Sequence, residues 1–181
     1  MKARNLKNRQ KAVFLDLDGT INTYVGFLTK PEQFELIPGV AEAIKKINKS
    51  GYLAIVVTNQ PVIARGDCTW EELQEIHNKM ETELGKEGAF VDAIYICPHH
   101  KDKGFEGERP EYKFECDCRK PKPGLLNNAA ADYNIDLSQS IMIGDSERDV
   151  EAGKEAGCKT ALFIENNEPN ALQYSIEMFF N

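Results

Sequence analysis

Five short apolar runs, separated by stretches of helical periodicity, recur along the 181 residues of this chain. Ala12–Leu17, Leu53–Val57, Ala93–Ile96, Ile141–Ile143 and Thr160–Ile164 have the length and β-branched character of strands. The first shows almost no polar alternation, as expected of a strand buried on both faces of a parallel sheet. Helical segments fall between them. Val40, Ala43, Ile44 and Ile47 follow Pro38-Gly39 and stop at Ser50-Gly51. Leu73, Ile76, His77, Met80 and Leu84 follow a capping box at Thr69–Glu72 and run to Gly85. Further helices are predicted from Pro123 to about Tyr133 and from Glu147 to Ala156, before Gly157. Leu172, Ile176 and Phe179 suggest a terminal one. The pattern predicts an α/β fold: a Rossmann-like, right-handed doubly wound parallel sheet with helices on both faces.

The length suits a single domain over 1–181, with its core at about 11–165 and no Gly/Ser/Pro linker to divide it. No apolar run is long enough to span a membrane. The first eleven residues are polar, with Lys2, Arg4, Lys7, Arg9 and Lys11, and do not read as a secretory signal. That basic arm is expected to be a disordered leader or the seam of a larger fused polypeptide. A net charge of −7 disfavours a nucleic-acid partner. The expectation is a cytoplasmic monomer that meets neither membrane nor nucleic acid.

Ligands of doubly wound sheets sit at the carboxyl ends of the strands. Four clusters fall there: Asp16-Leu17-Asp18-Gly19-Thr20, Thr58-Asn59-Gln60, the Cys97 region, and Gly144-Asp145 with Asp149 beyond it. Asp16 and Asp18, separated by a turn at Gly19, suit a nucleophile and a proton donor acting on phosphorus. Adjacent anions facing an anionic substrate call for a hard divalent cation, Mg²⁺, to which Asp145 could add a carboxylate. Taken singly, Asp16-Asp18 could cap a turn and Asp145 a helix. Cys97, Cys116 and Cys118, with His99 or His100, make a tetrahedral Cys₃His set suited to structural Zn²⁺. Such a clamp would tether the long irregular stretch from about Lys101 to Cys118 and so place Arg119 and Lys120. Cys68, Cys158 and His77 read as ordinary core residues.

In this order, Asp16-x-Asp18-Gly19-Thr20, Thr58, Lys120 and Gly144-Asp145-x-x-x-Asp149 resemble the four motifs of the haloacid dehalogenase superfamily of phosphotransferases. The resemblance implies that Asp16 forms an aspartyl-phosphate and that Asp18 protonates the leaving oxygen, then activates water. Thr58 and Lys120 would stabilise the transferring phosphoryl, with Mg²⁺ held by Asp16, Asp145 and the Asp18 backbone carbonyl. Adding Ile63-Ala64-Arg65-Gly66, Cys97-Pro98-His99-His100 and Cys116-Asp117-Cys118-Arg119-Lys120-Pro121, the chain is similar to D-glycero-D-manno-heptose 1,7-bisphosphate 7-phosphatases over roughly 11–165. That family's zinc pattern selects Cys97, His99, Cys116 and Cys118, and implies a minimal cap and a sugar bisphosphate substrate. Asn59, Arg65 and Arg119 are the expected substrate-binding residues.

Three positions depart from the family's usual pattern: Pro61-Val62 replaces Ser-Gly, Tyr24-Val25-Gly26-Phe27 replaces Asp-His-Gly-Tyr, and Ser146 replaces a lysine. The alternatives are a histidinol-phosphate phosphatase, a DNA 3′-phosphatase and a non-catalytic zinc-stabilised binding module. The acidic balance counts against DNA. Retention of both Asp16 and Asp18 counts against a non-catalytic module. No G-x-x-x-x-G-K-[ST] loop exists to support a kinase or NTPase.

Overall fold

The computed structural model describes residues 9–180; Lys2, Arg4 and Lys7 of the basic arm lie outside the described residues. Five strands, β1 (Lys11–Leu15), β2 (Tyr52–Asn59), β3 (Ala93–Cys97), β4 (Ile141–Gly144) and β5 (Thr160–Phe163), form one sheet in the order β3-β2-β1-β4-β5. Every pairing is parallel. The apolar runs are unbroken because alternate residues serve two different cores. Val13 and Leu15 of β1, Ala54 and Val56 of β2, and Ile141 and Ile143 of β4 enter one buried cluster. Ala12 and Phe14, Ile55 and Val57, and Met142 enter the other. Each large side chain sealed in this way contributes roughly 1.5–3 kcal/mol of burial.

Helices cover both faces. On the first lie α1 (Val40–Lys49), α3 (Trp70–Lys86) and α6 (Ala171–Phe180). On the second lie α4 (Gly124–Tyr133) and α5 (Glu147–Ala156). The expected capping box holds: Glu72 N donates to Thr69 Oγ1 at 3.1 Å, and Thr69 N donates to Glu72 Oε2 at 2.7 Å. Strand limits shift by up to two residues, with β1 ending at Leu15 rather than Leu17 and β2 reaching Asn59 rather than Val57, and two larger features differ. A short helix, α2 (Val62–Arg65), follows β2 directly, where four residues are too few for a periodicity signal. The core also runs past residue 165, because α6 packs on α1 and buries Leu172 and Ile176, with Phe179 and Phe180 edge-on to Tyr52.

Between β3 and α4, residues 98–123 carry a single 3₁₀ turn, Pro110–Tyr112. This stretch is anchored where it touches the body. Arg109 N donates to Ala64 O at 2.9 Å, and Trp70 Nε1 donates to the Tyr112 hydroxyl at 2.9 Å. No inserted cap domain stands over the strand ends among the described residues.

Candidate active site

Three of the four expected clusters, those of Asp16, Thr58 and Asp145, line a cleft of about 500 Å³ at the strand ends; of the Cys97 region only His100 reaches it. Asp16 leaves β1 with its backbone N–H on Ile143 O at 3.0 Å, which ties the end of β1 to that of β4. Gly19 turns the chain at φ +82°, and a side chain there would collide with the Asp145 carboxylate. Gly144 is similarly required: a Cβ would collide with Asp149. The two glycines allow carboxylates from three segments to converge.

Lys120 is buried at the centre, its Nζ 2.7 Å from Asp16 Oδ1 and 2.6 Å from Asp149 Oδ1. Burial opposes its charge, but the two carboxylates outweigh that and hold its ammonium above the ordinary value. Burial pushes the Asp16 carboxyl up to about 7 against the pull of Lys120. Asp18 is raised as well, chiefly by burial, and accepts hydrogen bonds from Asn22 Nδ2 at 3.0 Å and Gln60 Nε2 at 2.8 Å. The same Gln60 amide donates to Thr58 Oγ1 at 3.0 Å, so the buried threonine sits beside the acid pair. Asp149 is fixed on its other side by Ser146, whose N and Oγ both donate to Oδ2, at 3.0 and 2.6 Å. The departure from lysine at residue 146 therefore serves the start of α5.

Asp16, Asp145 and Asp149 bring carboxylate oxygens within 4.8 Å of one another. Lys120 engages both Asp16 and Asp149, and Asn166 Nδ2 donates to Asp145; it is the family resemblance that implies Asp16 and Asp145 as the cation's carboxylates. An all-oxygen set of this charge fits Mg²⁺. The Asp18 side chain turns instead to Asn22 and Gln60. Cys97, His99, Cys116 and Cys118 form a second group. Its neighbouring donors lie 3.2 to 3.7 Å apart, near the roughly 3.8 Å that four thiolates at zinc distance would show. A hydrogen bond from Cys97 leads the effects that lower Cys118, to about 5, while Cys97 and Cys116 are raised, so the three sulfurs favour one thiolate among them. The structure groups His99 with the thiols, while His100 faces the cleft.

Two expected substrate contacts are placed otherwise. Asn59 lines the cleft, but both ends of its amide are spent on Lys120: Nδ2 donates to Lys120 O and Lys120 N donates to Oδ1, each at 3.0 Å. It holds the lysine's backbone. Arg65 is not among the residues lining the cleft; it pairs with Asp67 at 2.7 Å. Arg119 does line the cleft, with Nη1 donating to His99 O at 2.9 Å. Arg148, in the first turn of α5, is a further cation on the cleft wall that no motif announces; only helical spacing from Asp145 could have pointed to it. All three departures from the family pattern also line this cleft, through Tyr24, Phe27, Pro61, Val62 and Ser146.

A parallel sheet bearing an acid–lysine–acid cluster at its strand ends defines a haloacid-dehalogenase-like hydrolase, and the HAD-hydrolase-like family model matches residues 117–173. The D-glycero-beta-D-manno-heptose-1,7-bisphosphate 7-phosphatase of Pasteurella multocida is 41% identical over 161 residues, covering 88% of this chain and 84% of its own. The Escherichia coli K12 enzyme of the same name is 38% identical over 158 residues, covering 87% and 81%. The crystal structure of the D,D-heptose 1,7-bisphosphate phosphatase of B. bronchiseptica, complexed with magnesium and phosphate, superposes with a TM-score of 0.80 at 31% identity, covering 94% of this chain and 98% of that one. The chain belongs to the D-glycero-D-manno-heptose 1,7-bisphosphate 7-phosphatase family.

Proposed function

We propose that this chain removes the 7-phosphate of D-glycero-D-manno-heptose 1,7-bisphosphate through an aspartyl-phosphate on Asp16. The observation that carries the reading is Lys120, buried between Asp16 and Asp149 on the floor of the cleft. An ammonium there opposes the burial that raises Asp16, and a carboxylate must be ionised to attack phosphorus. Asp16 would attack, breaking the bond from phosphorus to the sugar oxygen, while Asp18 delivers a proton to that oxygen. Burial favours the protonated Asp18 that this step requires. Asp18, now ionised, would take a proton from the water that attacks the aspartyl-phosphate, releasing inorganic phosphate and restoring both acids. Thr58 and Lys120 would hold the phosphoryl oxygens, and Arg119 would meet the charge of the distal end.

Asp16, Asp145 and the Asp18 carbonyl would hold Mg²⁺, which when bound neutralises charge on the reacting phosphoryl group. The Cys₃His group would hold a structural Zn²⁺. Three thiols that must stay reduced to bind a metal suit a reducing compartment, which supports a cytoplasmic enzyme. The whole chain is read as one catalytic domain. The test is phosphate release from the heptose bisphosphate with and without Mg²⁺. One equivalent of phosphate, released only with the metal and leaving the 1-phosphate, supports the reading. Release from the anomeric end, or none, would overturn it.

A further inference from the structure

We infer that Arg65 is a positioning residue that props a wall of the cleft by joining two aromatic side chains from distant segments. The inference rests on the function proposed above and adds a determinant of how the sugar end is held. The Arg65 guanidinium lies over the Phe27 ring, 4.0 Å from its centroid, and over the Phe105 ring at 4.3 Å. Phe27 lines the cleft; neither Arg65 nor Phe105 does. The ion pair from Arg65 Nε to Asp67 fixes the guanidinium's direction at 2.7 Å.

Phe105 is itself held from several sides. Lys113 Nζ stands 4.7 Å from its centroid, the His100 ring packs edge-on at 5.7 Å, and its backbone N–H donates to Glu108 Oε2 at 3.2 Å. Arg109 N donates to Ala64 O, fastening this long loop beside Arg65. Among the described residues, the Arg65 guanidinium is the one ring or cation contact of Phe27. Phe27 lies between β1 and α1 outside any regular element, and its side chain is 45% exposed. A large apolar ring so exposed keeps one position only if something packs against it, and the guanidinium is that surface. A planar, delocalised cation can stack on two rings, whereas the compact ammonium of lysine cannot. Order in the metal-clamped loop is thereby passed through Phe105 and Arg65 to the cleft wall at Phe27.

The test uses Arg65→Lys, Phe105→Leu and the double variant in the full chain. Each single change is expected to raise KM for the heptose bisphosphate by about tenfold while kcat stays within about threefold. The double variant should be no worse than Arg65→Lys, because both cut the same link. Amide hydrogen exchange of residues 24–28 should quicken in Phe105→Leu, although that side chain does not reach the cleft. A wild-type KM and unchanged exchange in Phe105→Leu would overturn the inference, since a guanidinium gripping the substrate directly is indifferent to Phe105. Effects that multiply in the double variant would overturn it equally. Exchange is read without substrate, so failure of the chain to hydrolyse the bisphosphate refutes the proposed function and leaves this link measurable.

Discussion

Asp16 faces opposed demands: burial favours its neutral acid, and the proposed attack on phosphorus needs its anion. Lys120 at 2.7 Å pulls toward the anion, while burial, the larger effect, leaves the carboxyl raised to about 7. An amide of the same shape has no nucleophilic oxygen anion, so Asp16→Asn should lower turnover by more than about a hundredfold, roughly 2.7 kcal/mol of barrier. The check is steady-state phosphate release by a variant whose circular dichroism matches wild type. The positions of the candidate site residues were unevenly legible. Asp16, Asp18 and Asp145 follow strand ends and Lys120 follows the Cys116/Cys118 pair, so their spacing already pointed to one edge. Asn59 and Arg65 also fall at the right edge, but spacing cannot say where a side chain points. One is spent on the Lys120 backbone and the other on Asp67 and two rings.

Elements divide in the same way. The central strands β1, β2 and β4 were legible because burial on both faces leaves a run of apolar residues, and α3 because a capping box and an apolar stripe agree. The four-residue α2 was not, and the path of residues 98–123 was not, because a loop held by scattered side-chain contacts has no period. If the Cys₃His group clamps that loop, Cys118→Ser should lose zinc by elemental analysis and lower turnover about tenfold, although no member of the group lines the cleft. On α3, burial lowers His77 from 6.5 to about 4. Below 6.5 the unfolded chain binds the proton and the folded one does not. Stability from this residue is therefore full above about 6.5 and falls as pH drops toward 4, by up to about 3 kcal/mol. Urea denaturation between these pH values should show that decline, and His77→Leu should flatten it.

At the scale of the molecule, a parallel sheet delivers every strand's carboxyl end to one edge, so residues far apart in sequence share a cleft without any inserted domain among those described. Alternation of apolar runs with helical segments was enough to read that architecture. The terminal helix α6 was fainter, since its burial depends on α1 rather than on the sheet. Substrate choice is also a property of the whole cleft. The reacting phosphate of any monoester can sit by Asp16, Thr58 and Lys120, so selection must come from the rest of the lining, which includes Arg119 and Arg148. Two cations there favour a second phosphate over the amine and imidazole of histidinol phosphate. The most direct measurement is the ratio of kcat/KM for heptose 1,7-bisphosphate to that for histidinol phosphate, with Mg²⁺ present. A ratio of at least about ten, 1.4 kcal/mol of differential transition-state binding, is the predicted result. Equal rates, or faster hydrolysis of histidinol phosphate, would contradict the account.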